Sequence, residues 1–350
     1  MKVFLLNDTA TVPHIGCQAV SDAHARLLGA AGHRVVDRAF LGELKPFAHR
    51  EEEAGIAGVL ADDSLRGRIE AADVVVVNGE GTLHHGVGTE YFAVLGSAQR
   101  LGKGTLIVNA VFEAHQGWES VIQRLDDFCV RDQNSLEHAR SFGFRCRMVP
   151  DSFLAAQFEG AAFVDLHDKI VITDWHPARD FDVGVTLRGL LDSVEGTFYF
   201  PMQHGIHAYL WRRAAATWAR ASVIVTARHH GLYLAAVARK PFIAMPSNTR
   251  KVEGLIAAAG ARIPICIHRS EVEAAADYTF KNLGEYERLF DWLAAQLPLQ
   301  TFSSLGTGSD DTDALRELAQ LEKHRSLRPE ADSPAAWGLS NGKGAGIVSL

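Results

Sequence analysis

Arg228, His229 and His230 stand in a row between the β-branched run Val223-Ile224-Val225 and Gly231. The run reads as a buried strand, and 232–237 is apolar enough for a packed helix. Arg239, Lys240 and Pro241 end that helix, and 242–245 starts another strand. In an open α/β sheet, ligands sit outside the carboxyl ends of the strands. A guanidinium and two imidazoles leading into a helix at that point suit an anion, because a guanidinium grips a carboxylate or phosphate with two parallel hydrogen bonds. Lys251, in the loop-to-helix stretch 248–253, adds a further cation.

Other polar loops also follow apolar runs. The first, 7–18, carries Asn7, Asp8, Thr9, His14 and Gly16. It is neither a G-x-G-x-x-G dinucleotide loop nor a P-loop, but a polar turn after a first strand is a usual ligand contact. The second reads Asn78-Gly79-Glu80-Gly81-Thr82-Leu83-His84-His85-Gly86. Glu80, between two glycines at a strand end, has little packing reason to exist. It suits a general base or a residue orienting a histidine, or else a turn with a solvated charge. Arg131-Asp132 ends another strand and reads equally well as an ion pair holding the loop. Asp151 follows Val149-Pro150, His176 lies in Thr173-Asp174-Trp175-His176-Pro177, and His204 lies in the stretch 200–207.

The chain holds 16 His, many in these loops, but no H-E-x-x-H and no Cys/His quartet, so no metal is expected. Imidazoles that bind an anion or move protons near neutral pH fit better.

The elements that must carry these loops alternate in type. Apolar runs at 3–6, 34–36, 74–77, 105–108, 128–130 and 147–149 read as strands. Helical patterns fill 17–31, 65–71, 91–101, 118–125 and 135–142. A second cycle has strands at 170–173, 197–200, 223–225, 242–244 and 264–266, with helices at 207–220, 231–238, 250–259 and 285–295. Such alternation predicts parallel sheets with helices on both faces. The fold expected is α/β, with two Rossmann-like domains facing each other across a cleft. They span 1–157 and 169–298, joined by a linker at 158–168. Residues 299–350 read as a helix at 312–323 and a flexible, Gly/Ser/Pro-rich tail.

At 350 residues the chain suits two domains, and its 47% hydrophobic content can fill two cores. A net charge of -7 argues against a nucleic-acid partner. Four scattered cysteines suit buried thiols in a reducing compartment. No run approaches the length of a transmembrane helix and the amino terminus is too short for a signal peptide, so a cytoplasmic protein is expected. Its oligomeric state is not legible in the sequence.

These loops, in this order, resemble the polysaccharide pyruvyl transferase family over roughly 1–260. The marks are Asn7-Asp8, the apolar strand and glycines of 73–81, Arg131-Asp132 through Ser135 with Gly143, and Asp151 with Phe153, whose aromatic comes one residue early. The most specific is the block from Thr226 through Arg228 and His230 to Gly231, with Pro241 and Lys251. The resemblance implies a GT-B-like cytoplasmic transferase that forms a pyruvate ketal on a sugar of a cell-surface glycan, with phosphoenolpyruvate as donor and no cofactor. It implies donor contacts from Arg228, His229, Lys251, His176 and His204, with Asn7, Asp8, His14, His84 and His85 toward the acceptor. Proton transfer falls to His230 and to Glu80 or Asp151. A lipid-linked acceptor would bring peripheral membrane contact.

The carboxylate in the glycine loop and the His176-Pro177 pair also resemble retaining bacterial glycosyltransferases that use CMP-activated 3-deoxy-octulosonic acid. That likeness implies Glu80 or Asp151 as nucleophile and His176 at the nucleotide phosphate. A sugar- or anion-binding module without turnover is the third reading.

Overall fold

The structure, a computed structural model, describes residues 1–306 apart from 82, 85, 114–115, 177–180, 249 and 297. Expectations for His85, Pro177 and the segment after 306 lie outside the described residues. The chain forms two compact units. The first comprises Met1–Val12, Cys17–Ala156 and the stretch 296–306; the second comprises Pro13–Gly16 and Gln157–Ala295.

The first unit is built on six parallel strands: β1 (Lys2–Asp8), β2 (Arg34–Phe40), β3 (Val74–Asn78), β4 (Gly104–Ala110), β5 (Asp127–Val130) and β6 (Arg147–Met148). Their order is β2-β1-β3-β4-β5-β6. Helices α1 (Ile15–Ala30), α2 (Glu52–Ala61), α3 (Asp63–Ala71), α4 (Thr89–Arg100), α5 (Glu119–Gln123) and α6 (Gln133–Ser141) complete it.

Strand periodicity explains why both faces are covered. Phe4, Leu6, Val75 and Val77 point into one core, with Phe92 and Trp118. Val3, Leu5, Val74 and Val76 point into the other, with Leu27 and Leu28 of α1 and Phe302. Successive side chains of a strand face opposite ways, so an unbroken apolar run needs helices on both sides. Phe302 is 2% exposed, and burying such a ring contributes about 2–3 kcal/mol. That contact explains why 296–306 belongs to the first unit.

The second unit has four parallel strands, β7 (Ile170–Ile172), β8 (Thr197–Tyr199), β9 (Val223–Thr226) and β10 (Phe242–Ala244), in the order β10-β9-β7-β8. Helices α7 (Phe181–Ser193), α8 (Gly205–Tyr209), α9 (Ala214–Trp218), α10 (His229–Val237), α11 (Lys251–Ala258), α12 (Arg269–Lys281) and α13 (Leu283–Ala295) surround them.

In each sheet the chain lays its second strand on one side of the first and its third on the other. The direction of winding therefore reverses between β1 and β3, and again between β7 and β9. Ligands of open α/β sheets bind at such switch points, where adjacent loops part.

Three details depart from the sequence reading. The expected strand at 264–266 is a single bridge between Ala244 and Ile265. The expected helix at 207–220 is divided into α8, a short 3-10 turn at Trp211–Arg213 and α9. There Glu159, read from sequence as linker but part of the second unit, donates its N–H to the Arg212 carbonyl at 2.7 Å, and Arg213 binds the carbonyls of Ala161 and Ala162. Helices α2, α7 and α12 were not read from sequence. Among the described residues, no helix is long and apolar enough to cross a membrane.

Candidate functional site

In the second unit the switch point is formed by the loops after β7 and β9. Thr226, the last residue of β9, accepts the Arg228 N–H at 3.1 Å and the Thr173 hydroxyl at 2.9 Å through its own hydroxyl. This turn can be so tight because the third residue of the next helix is glycine: a Cβ on Gly231 would lie 2.2 Å from that hydroxyl. The turn points the Arg228 side chain at the β7 loop. Its Nη2 donates to Asp174, to the Trp175 carbonyl at 3.0 Å and to Gln203 Oε1 at 3.1 Å. Asp174 takes the Met202 N–H on its other oxygen at 2.7 Å. Arg228 Nε is buried and has no acceptor among the described residues.

His14 lies beside this cluster rather than with Asn7 and Asp8, its neighbours in sequence. It bridges Gln203, and Ile15 and His204 bond the backbone on either side of the bridge. Its ring stands edge-on to His230 at 5.8 Å. Burial holds the His14 imidazole well below its ordinary pKa, and the charges of His230, Arg228, Lys251 and His204 push the same way. Those five side chains thus lie close enough to act on one another. The Gly16 N–H donates to His14 Nδ1 at 3.0 Å. An N–H can only donate, so neutral His14 carries its proton on Nε2.

Gly16 also makes room for His230. A Cβ there would lie 2.0 Å from His230 Nδ1. Gly16→Ala is therefore expected to displace that imidazole and lower kcat at least about tenfold, since misplacing a reacting group by an ångström is that costly. Steady-state assays with a melting curve as control check this; unchanged kcat would free His230 from any need for its position.

Of the other donor-side expectations, Lys251 Nζ bonds Asn248 at 2.7 Å. His229 is 4% exposed with its ring 5.0 Å from Tyr233, which makes it a packed residue of α10. His176 is half-buried and His204 is exposed.

In the first unit the switch point between β1 and β3 gathers Asn7, Thr9, Cys17 and Glu80. Asn7 has φ 55°, a left-handed backbone that asparagine tolerates better than most residues. Its amide donates to the Asn78 carbonyl at 2.6 Å and accepts from the Tyr91 hydroxyl at 2.9 Å. Thr9 donates to Glu80 Oε2 at 3.2 Å. Cys17 bonds the same carboxylate; burial, then that charge, pushes its thiol well up. Asn109, one residue beyond the Val108 that pairs with Asn78, accepts the Ser152 N–H at 3.2 Å. Its Nδ2 is buried without an acceptor among the described residues.

Two carboxylates read as site residues are otherwise engaged. Asp8 is 1% exposed, pairs with Arg38, and takes the Ser21 hydroxyl and the Ala10 N–H. Asp151 is fully buried against Arg131, and its second oxygen takes the Phe153 N–H at 2.9 Å. Glu80, by contrast, accepts the Thr9 hydroxyl and bonds the Cys17 thiol. His84 is half-buried further along the loop.

Asp151→Asn is expected to cost the first unit roughly 3 kcal/mol, because it strands a buried guanidinium. The kcat of the folded protein should stay within about threefold, whereas loss of a catalytic base costs a hundredfold or more. Melting curves and kcat measured on the same preparation separate the two roles.

Beneath this edge, His24 is fully buried, bonded to the Ser152 hydroxyl at 3.0 Å and edge-on to Phe302. Burial pushes its pKa down to about 4 from 6.5, against the pull of Asp151 and Asp8. The folded state resists protonating it, so its contribution is complete above pH 6.5 and is lost as pH falls toward 4. The first unit should lose on the order of 3 kcal/mol from this group across that window. His24→Gln should flatten that part of a stability–pH curve; parallel curves for the two proteins would refute the assignment.

Sequence reasoning missed Asp174 and Gln203 as ligands of Arg228, and Tyr91 and Asn109 in the first unit. Asp174 and Gln203 adjoin loop residues that were noticed, and strand order is what brings them to Arg228.

Comparison with known proteins places the fold first. A candidate UDP-N-acetylglucosamine 2-epimerase from Listeria monocytogenes is similar over 93% of this chain and 97% of its own, with 12% identity and a TM-score of 0.55. The UDP-GlcNAc 2-epimerase of Neisseria meningitidis, bound to UDP-GlcNAc, is similar over 91% of this chain and 100% of its own, with 11% identity and a TM-score of 0.47. MurG of Acinetobacter baumannii is similar over 92% of this chain and 99% of its own, with 12% identity and a TM-score of 0.44. The architecture, two Rossmann-like α/β units in succession, is GT-B-like. No curated protein matches the chain. The family profile for polysaccharide pyruvyl transferase matches residues 14–249 of the 350, a span that holds Glu80, Asp174, Arg228 and His230. The chain belongs to the polysaccharide pyruvyl transferase family and is a transferase of polysaccharide biosynthesis.

Proposed function

We propose that the protein transfers the pyruvyl group of phosphoenolpyruvate to a sugar of a cell-surface glycan, forming a ketal. The observation that carries this reading is the grouping of Arg228 and Lys251 with the imidazoles of His230, His204 and neutral His14 near the β7/β9 switch point. Phosphoenolpyruvate bears a carboxylate and a phosphate on one carbon, C2, and such a cluster offers guanidinium N–H groups and an ammonium to bind them.

The bonds balance without a cofactor. One sugar hydroxyl adds to C2 of the enol while a proton is delivered to C3, which becomes a methyl group. The C2–O bond to phosphate then breaks as a second hydroxyl of the same sugar attacks C2. Of the two hydroxyl protons, one replaces that delivered to C3 and the other leaves on inorganic phosphate. His230 supplies the proton to C3, and Glu80 takes the proton of the attacking hydroxyl. Asp151, fixed on Arg131, keeps a structural role in this scheme.

Melting the protein with phosphoenolpyruvate or with CMP and a CMP-sugar separates the readings. A ligand that binds only the folded state at about a hundred times its Kd adds about 2.7 kcal/mol. Stabilisation by phosphoenolpyruvate, lost in Arg228→Ala, supports the proposal. Stabilisation by CMP alone would overturn it in favour of a glycosyltransferase. Donor binding with no phosphate released in the presence of any glycan would leave a binding module.

A further inference from the structure

Arg228 is held unusually fully for a residue that must also grip a substrate. One nitrogen, Nη2, has three acceptors from three separate segments: Asp174 from the β7 loop, the adjacent Trp175 carbonyl, and Gln203 from the loop after β8. Asp174 is itself fixed by the Met202 N–H. The Arg228 and Asp174 side chains are 13% and 12% exposed. Nε, which shares an edge of the guanidinium with Nη2, is buried without an acceptor among the described residues. A buried donor with no partner is costly and calls for an explanation.

From this arrangement we infer that Asp174, assisted by Gln203, is a positioning residue that locks one corner of the Arg228 guanidinium so that its remaining N–H groups are held for the anionic donor. The inference rests on the proposed function for the identity of that anion. A planar guanidinium aims its free N–H groups only if its plane is set in advance, and a side chain with several rotatable bonds otherwise loses freedom on binding. Asp174 therefore favours anion binding through geometry although its own charge opposes it.

That conflict of sign makes the inference testable. If Asp174 were merely a neighbouring carboxylate, neutralising it would tighten the binding of an anion. If it positions Arg228, neutralising it weakens binding. Asp174→Asn keeps an oxygen for the Met202 N–H and turns an NH2 group toward Arg228. The expected result is a rise of about tenfold in the KM and Kd of phosphoenolpyruvate, with kcat within about threefold. Combined with Arg228→Ala, the substitution should add no further loss, because residues acting as one unit are not additive. Should Asp174→Asn fail to fold, Gln203→Leu removes another acceptor of the same nitrogen and should raise KM about threefold.

Nitrogen NMR of the Arg228 side chain gives a readout that needs no donor. Rotation about its Cζ–Nη bonds should be slow in the native protein and fast in Asp174→Asn. Unchanged or tighter binding in Asp174→Asn would overturn the inference, as would fast rotation in the native protein. If native protein fails to bind phosphoenolpyruvate, the proposed donor is wrong. Slow rotation that Asp174→Asn releases would still uphold the lock.

Discussion

Glu80→Gln is expected to lower kcat by about a thousandfold, within the hundred- to ten-thousandfold range that general-base catalysis supplies. The substitution should cost little stability. Glutamine has the same shape, the Thr9 hydroxyl can still donate to its oxygen, and the Glu80 N–H keeps its bond to Asn78 Oδ1 at 3.2 Å. What disappears is the negative charge that accepts a proton. The donor KM should move less than about threefold, because the donor contacts are assigned to the second unit and a group acting in the transition state alters kcat. Cys17 provides an internal control. Its thiol is pushed up partly by the Glu80 charge, so in the variant it should titrate lower and react faster with a thiol reagent at a given pH. A variant with lowered thiol pKa and undiminished kcat would remove Glu80 from catalysis while showing that the substitution altered the local field.

Arg228→Lys should raise the KM for phosphoenolpyruvate about a hundredfold, equivalent to losing a charge-assisted bond of up to about 3 kcal/mol. Lysine keeps the charge, so a site that needed only a cation would tolerate it. Its single nitrogen cannot bond Asp174, the Trp175 carbonyl and Gln203 and still offer further N–H groups to a ligand, whereas the guanidinium meets those three acceptors with one of its three nitrogens. Unchanged KM would exclude Arg228 from the donor site. Loss of kcat with unchanged KM would point to a transition-state role.

Much of the fold was legible because parallel strands leave a strong local trace. The run Val74-Val75-Val76-Val77 is buried on both faces, and no amphipathic surface element would carry it. Helices were harder. Helix α2 contains two glycines, and nothing in its own sequence shows that Ile56 and Val59 have a core to enter. The stretch 207–220 has helix-forming composition, yet Glu159 captures its Arg212 carbonyl, a competition that no local window contains.

The candidate site divides in the same way. Residue type and strand-end position were enough to single out Arg228, His230 and Glu80, because a polar cluster after an apolar run is visible in the chain itself. Their partners were not visible. His14 groups with His230 from more than two hundred positions away, and Asp174 meets Arg228 only because β7 and β9 are neighbours in the sheet. Asp151 looked as reactive as Glu80 until Arg131 was found against it, and Asp8, read toward the acceptor, is paired with Arg38.

By itself, then, the order of amino acids determined the alternation of elements and the family, both of which depend on short-range pattern and chemical type. Tertiary structure alone decided which carboxylate is neutralised by a cation and which arginine is locked at one corner. The physical reason is that a charged group's role depends on what lies within a few ångströms of it, and sheet topology sets those distances.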